Sequence, residues 1–438
     1  MQPRYRRFEN MALKGKTILA FIGLAALAAI AIEIFTIYWV VVAITIVFLF
    51  TGSMFFFAYL DSETQSIPRP KKWQSVSVII PSYNSEATIK RCVESAKAMR
   101  YPSKVEIIVI NDASTDSSPE ILKKISGVKV INKKKNAGKA AGINSALRIA
   151  KGELVCCIDS DTYPSPTALE NAVPFFTDET VGAVTCLILA NEPKTFFEHM
   201  QNLEYMLGFG FYQTMLSQLD AAMITPGPMC VYSRAALLKV GGYDEQNITE
   251  DMEIALRLQK NSYKIKSSHY AKVYTVVPNT IKQWMRQRLR WYRGKIYNTA
   301  KYREMLFSSG HGFLGNFSLP FTFMLEMGSV FILFLVAVML LQSILFVGQV
   351  LLSAASISYT LPLYFPPVVV NSSAIFFFTT TLSTFGLAMA VSFDLAKEKF
   401  RLKDIPPTLF IILFYGLMVA FMWLMSLFKE INRSDYTW

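Results

Sequence analysis

Asp112 and Asp116 stand in "NDASTD" (111–116), Asp159 and Asp161 in "DSD" (159–161), and Glu250 and Asp251 in "TED" (249–251). A fourth element, "IKQWMRQRLRWYRGK" (281–295), packs four arginines and two tryptophans into fifteen residues without one acid. Two carboxylates two residues apart offer hard oxygen ligands at one edge, which suits Mg²⁺ or Mn²⁺ bridging a diphosphate. Asp112 and Asp116 are also ordinary helix-cap and turn residues. Acids in "TED", just before an apolar-periodic run, suit the first turn of a helix. Gln287, Arg290 and Trp291 fall at i, i+3 and i+4, so a helix there puts all three on one face. The three histidines, His199, His269 and His311, form neither a cluster nor HExxH, which argues against a zinc hydrolase.

Elements that position these residues are read from the surrounding pattern. Short β-rich runs, "VSVII" (76–80), "VEIIVI" (105–110), "VKVI" (128–131) and "ELVCCI" (153–158), alternate with helical stretches near 87–99, 117–125 and 139–150. That alternation predicts a parallel sheet covered on both faces. Ligands of such sheets bind beyond the carboxyl ends of the strands. "PSYN" (81–84), "NDASTD" and "DSD" each follow a strand there.

On either side the texture is apolar. The chain has 438 residues, 52% of them hydrophobic, with net charge +12 and mean hydropathy +0.32. Apolar stretches at 17–32, 37–59, 319–347, 371–395 and 406–428 approach or exceed the roughly 20 residues that cross a bilayer. Arg4, Arg6, Arg7, Lys14 and Lys16 precede the first pair, Arg69, Lys71 and Lys72 follow it, and "KEKFRLKD" (397–404) joins the last two. These basic flanks place the middle region on the cytosolic side of a multi-pass protein in the cell membrane. Pro362, Pro366 and Pro367 interrupt 348–369, leaving an external loop or a re-entrant piece open there. Cys92, Cys156, Cys157, Cys186 and Cys230 make no CxxC pair, consistent with a reduced compartment.

With "VSVIIPSYNSEATI", "IIVINDASTD", "NAGKAAGINSAL", "IDSD", "ITEDMEIALRL" and "QRLRW" in this order, residues 74–295 resemble the processive family-2 glycosyltransferases, the cellulose, hyaluronan, chitin and poly-N-acetylglucosamine synthases. The resemblance implies an α/β fold of the GT-A type, Rossmann-like with a mostly parallel sheet, inserted in the cytosol between α-helical membrane segments. It divides the chain into two N-terminal membrane helices (1–62), the transferase domain (63–278), interfacial helices (279–310) and about three C-terminal membrane helices (311–438).

It also implies roles. Asp112 holds the nucleoside of a UDP-sugar donor, Pro81, Tyr83, Asn84 and Glu86 frame its base, and Lys139 contacts the nucleotide or simply starts a helix. Asp159 and Asp161 take the sugar diphosphate with Mg²⁺ or Mn²⁺, Asp161 as direct metal ligand. Asp251 is the general base. Arg290 pairs with the diphosphate. Glu250, Gln287 and Trp291 receive the acceptor, a polysaccharide or a lipid-linked sugar, together with Gly227 and Pro228 of "TPGPMCVYSR" (225–234), which otherwise only turn the chain. Trp284, Arg286, Arg288, Tyr292 and Arg293 suit a headgroup layer, the reading of the whole run as a plain interfacial helix. The alternative activity is transfer of one sugar to a lipid, and a non-catalytic transporter or scaffold is the third reading. Membrane surface and anionic donor together account for the basic balance without nucleic acid.

Overall fold

The computed structural model describes residues 37–63, 67–70, 72–357 and 372–432. Its centre is a mixed sheet of eight strands: β1 (Val76–Ser82), β2 (Val105–Asn111), β3 (Lys129–Asn132), β4 (Leu154–Ile158), β5 (Thr162–Pro164), β6 (Val181–Ala190), β7 (Met229–Ser233) and β8 (Lys264–Thr275). Their order is β3-β2-β1-β4-β7-β6-β8-β5. The four strands expected from the sequence form the parallel half. Their apolar content follows their burial: β1 and β4 are buried throughout, β2 over its last five residues, and the edge strand β3 stays partly exposed. Alternate residues of β1 enter two cores: Val76, Val78 and Ile80 on one face, Ile79 on the other. Each such fully buried aliphatic side chain stabilises the fold by about 1.5–3 kcal/mol.

The second half was not expected. β7 runs antiparallel to both β4 and β6, while β6 and β8 are parallel with two register shifts. All ten residues of β6 are buried. The five cysteines are free and buried.

Chain contacts divide the protein into two units: Phe55–Thr322 with Ala388–Leu413, which contains the sheet, and Met1–Met54 with Phe323–Leu387 and Phe414–Thr437. Three helices among the described residues, Leu314–Ser353, Ile375–Ala396 and Leu402–Ile431, are long and apolar enough to cross a membrane. A helix at Ile37–Glu63 occupies the second apolar stretch. The first stretch, 17–32, and the three prolines near 362 lie outside the described residues. The helix of the third span runs past 347 to Ile357, into the segment 348–369 left open as a loop or re-entrant piece.

Candidate functional site

The first two strand-end loops are tied to each other. Asn84 Oδ1 accepts from the Thr115 N–H (2.9 Å), and the Asn84 N–H donates to Ser114 Oγ (3.0 Å). Glu86 and Asp116 exchange bonds across the gap: Glu86 Oε2 accepts from the Ser117 N–H and Asp116 Oδ2 from the Glu86 N–H, both at 2.9 Å. Asn84 and Ala113 both adopt left-handed backbone, φ 48° and 59°, a conformation that costs roughly 1–3 kcal/mol each and concentrates at functional loops. Pro81 is buried in β1, whereas Tyr83 stays 49% exposed. Asp112 is buried and accepts N–H bonds from Ala137 (3.1 Å) and Gly138 (2.7 Å), with Lys133 Nζ at 2.7 Å. It thereby fixes the loop that leads into the helix Lys139–Leu147.

Lys139, the first residue of that helix, reaches two acids. Its Nζ lies 2.7 Å from Asp159 Oδ1 and 2.9 Å from Glu250 Oε1. Burial alone would lower the Lys139 pKa, but Asp159, Glu250 and Asp251 outweigh it and raise it. The lysine is therefore a fixed cation. Burial pushes the Glu250 carboxyl up, and Lys139 and Arg290 more than reverse that, leaving it below the ordinary range. Asp251 is held the other way. Burial and the Glu250 charge push its carboxyl up to about 6, against the pull of Lys139 and Arg290. Asp161 also rises to about 6, through burial and the charge of Asp159.

The loop "TPGP" closes over this cluster. Thr225 donates its N–H and Oγ1–H to the Asp251 carbonyl (3.2 and 2.7 Å), and the Pro228 carbonyl accepts from the Asp159 N–H (3.3 Å). A Cβ on Gly227 would stand 2.7 Å from Lys139 Nζ and 2.8 Å from Asp159 Oδ2. Glycine is needed here so that the backbone can pass against the ion pair.

The run 281–295 lies in one helix, Ile281–Lys301, begun by Thr280, whose side chain accepts from the Gln283 N–H. Its outer-face assignment needs correction: Trp284, Arg288 and Arg293 are buried, at 1%, 0% and 4% exposure. Arg288 pairs with Glu204 and donates to Gln287 Oε1 (2.6 Å). Its guanidinium lies 5.3 Å from the centre of the Trp284 ring and 4.1 Å from that of Trp291. The three residues fall at i, i+4 and i+7, one helix face, and aromatic faces suit a partly desolvated guanidinium. Trp291 also packs against Ile188, Ala190, Tyr205 and Val277. Gln287 and Trp291 are thus both positioned by an arginine that sequence reading placed at a surface.

Further positioning residues were missed. Gly294 sits where any Cβ would stand 2.2–2.8 Å from Thr249 side-chain atoms. Buried Asn298 donates to Thr249 Oγ1 (3.0 Å) and accepts from Asn247 Nδ2 (2.7 Å). The helix is thereby locked onto "TED". A glycine in mid-helix costs about 1 kcal/mol against alanine, and that was the available signal.

Among the described residues no three His, Cys, Asp or Glu side chains form a metal-holding group. Asp159 and Asp161 still fit one divalent ion. Burial and then the charge of Asp159 lift the Asp161 pKa, both of which a bound cation would offset, and a single cation whose other ligands come from phosphate needs only one or two carboxylates.

Residues 77–241 match the model of the family described as "Glycosyl transferase family 2". The chain is 31% identical over 247 residues to "Probable glycosyltransferase YdaM" of Bacillus subtilis, covering 54% of this chain and 59% of that protein. It is 30% identical over 268 residues to a "Poly-beta-1,6-N-acetyl-D-glucosamine synthase" of Staphylococcus epidermidis, covering 59% and 62%. The chain thus spans about three fifths of the length of these relatives. A solved "Mannosyltransferase PcManGT from Pyrobaculum calidifontis in complex with GDP-Man and Mn2+" superposes with a TM-score of 0.58 at 17% identity, over 91% of this chain and 99% of that one. The parallel half of the sheet and the strand-end acids Asp112, Asp159 and Asp161 lie within the stretch that matches the glycosyl transferase family 2 model, and the PcManGT superposition is similar in fold.

Proposed function

We propose that the protein is a membrane-embedded inverting glycosyltransferase. It takes a sugar, best read as an N-acetylhexosamine, from a UDP-sugar and adds it to the non-reducing end of a growing β-linked polysaccharide, coupled to its passage across the membrane. The observation that carries this reading is the gathering of Lys139, Asp159, Glu250 and Asp251 under "TPGP", with Arg290 close enough to bias both acids. The match to the Staphylococcus synthase supports the sugar class.

In this reading Asp251 accepts the proton of the acceptor hydroxyl as its oxygen attacks C1 of the donor sugar. The C1–O bond to the diphosphate breaks, UDP leaves with the electron pair, and the anomeric centre inverts. Lys139 keeps Asp159 and Glu250 ionised and in place, and Arg290 lends charge to the departing diphosphate. Asp161, with Asp159, would hold Mg²⁺ or Mn²⁺, which when bound neutralises diphosphate charge. Trp291, one side occupied by Arg288, gives an apolar surface for the acceptor ring. The three apolar helices support placement in a membrane, and the basic flanks of the apolar stretches support a cytosolic sheet unit.

The test is full-length protein with a panel of UDP-sugars, Mn²⁺ or Mg²⁺, and product sizing. A polymer from one UDP-N-acetylhexosamine is expected. A product that stops at one sugar on a lipid would replace the synthase by the lipid transferase.

A further inference from the structure

A cavity of about 370 Å³ opens in the sheet unit between the end of β6, the helix Phe196–Tyr205 and the loop 397–404, and none of Lys139, Asp159, Asp161, Glu250 and Asp251 lines it. Its floor is apolar: Leu189, Ala190, Leu203 and Met206 are buried. Its rim carries Lys399, Arg401 and Lys403. Two of the acids beside them pair with other cations, and the third caps the rim loop through a backbone N–H. Glu192 pairs with Arg91 (2.8 Å), Glu398 approaches Lys272 (3.8 Å), and Asp404 Oδ2 accepts from the Arg401 N–H (2.8 Å). Among the described residues the three rim cations have no carboxylate partner. His199 faces the same space with no side-chain hydrogen bond among the described residues, and burial followed by Lys403 lowers its pKa.

The rim cations alternate with apolar residues that are left in the open. Phe400 is 51% exposed and Leu402 85%. The loop joins two helices each long and apolar enough to cross a membrane. A cation–apolar alternation at the end of such a hairpin suits the headgroup layer, where lysine and arginine meet lipid phosphate and apolar side chains dip toward the acyl chains. Arg91, Asn191, Asn202 and His199 line the same space, so its polar part suits a phosphate, while the buried apolar residues beside them offer a surface that a free phosphate would leave unused. A lipid brings both halves: a phosphate for the rim and a glycerol and acyl root for the floor.

We propose that this cavity binds the headgroup of an anionic phospholipid, with Lys399, Arg401 and Lys403 on its phosphate and Leu189, Leu203 and Met206 beneath its apolar root. The site goes beyond the transfer reaction and does not depend on it.

The test uses full-length protein in mixed micelles of equimolar phosphatidylglycerol and phosphatidylcholine, with the retained lipid read by native mass spectrometry. Wild type should retain phosphatidylglycerol about tenfold over phosphatidylcholine, since each cation near a headgroup contributes severalfold. K399Q/R401Q/K403Q should lose that preference. His199→Trp, which fills the cavity and leaves the rim charges, should lose it too. K123Q/K124Q/K129Q, which removes three exposed charges elsewhere, should keep it. A preference unchanged in the rim triple, or in His199→Trp, would overturn the proposal. So would displacement of phosphatidylglycerol by 10-fold excess inorganic phosphate, which would assign the cavity to a free anion. If the rim triple does not fold, the single variants Lys399→Gln, Arg401→Gln and Lys403→Gln serve, and full retention in all three counts against the site.

Discussion

Asp112 and Asp251 belong to one unit, and the surroundings of each suit opposite purposes. Asp112 is satisfied. Two backbone N–H groups and Lys133 surround its carboxylate, so its charge serves to fix the loop before Lys139. Asp251 is frustrated. It accepts one bond, from the Met252 N–H, and lies beside the charge of Glu250 in a buried setting. A satisfied acid holds geometry. An acid held near neutrality in its ionisation is suited to exchange a proton at working pH. Under the proposed function, the loops after β1 and β2 would shape the donor site and the start of the helix Glu250–Lys260 would carry the chemistry.

The largest expected effect follows from that contrast. Asp251→Asn should lower turnover by about 10²–10⁴-fold, the usual worth of a general base, while UDP-sugar affinity by calorimetry stays at the wild-type value. Near wild-type turnover in this variant would break the comparison. Asp112→Ala should behave differently. It leaves the Ala137 and Gly138 N–H groups and Lys133 unsatisfied, which costs on the order of 1–3 kcal/mol. A lower Tm and a raised donor KM are expected, with a kcat loss far smaller than that of Asp251→Asn. An unchanged Tm with a deep fall in kcat would make Asp112 a reacting group instead.

How much of this was legible depended on where each partner lies in the chain. β1, β2 and β4 showed in the sequence because their buried stretches are largely apolar and punctuated by turn residues, whereas β3, a partly exposed edge strand, showed by its short apolar core between two helical stretches. β7 did not, because it returns antiparallel after "TPGP", outside the strand–helix alternation. Asp112, Asp159 and Asp161 were legible from their places after strands, and Glu250 and Asp251 from the resemblance carried by "TED". Their ionisation was not, since it depends on Lys139, Glu250 and Arg290 meeting from three separate segments. Arg288 was misplaced for a related reason. A lone arginine in a basic run reads as solvent-facing, and the glutamate that makes its burial tolerable, Glu204, lies 84 residues earlier. Gly294 and Asn298 carry no charge at all, so only the fold shows that they dock the helix on Thr249.

The helix Ile281–Lys301 gives a smaller test of the same division, because Trp291 is proposed to hold the acceptor and takes no part in proton transfer. Trp291→Ala should weaken acceptor binding about tenfold, the equivalent of roughly 1.4 kcal/mol, and shorten the product at equal donor turnover. Slow hydrolysis of the donor should persist, because water needs no platform. Wild-type product length from this variant would remove Trp291 from the acceptor site.

The smallest effect is the most specific to the frustrated acid. Because the Asp251 pKa is raised to about 6, the base is protonated below that pH. Activity should therefore be present above pH 6 and fall as pH drops through it. The stability contribution runs oppositely. The folded state holds this proton more tightly than the unfolded chain, so the contribution is complete below the ordinary carboxylate range and is lost as pH rises through about 6. Glu250→Gln removes the charge that lifts Asp251 and releases Lys139 from one of its partners. Both changes favour ionised Asp251, so the acid limb of kcat/KM should move to lower pH. The fall in stability should move the same way, read as Tm against pH in the same buffers. The midpoint shift separates Glu250 as a tuner of the base from Glu250 as a mere acceptor contact. A contact alone would raise KM and leave the midpoint where it was. An unmoved acid limb with raised KM would assign the pH dependence to another group and leave Asp251 without its tuning partner.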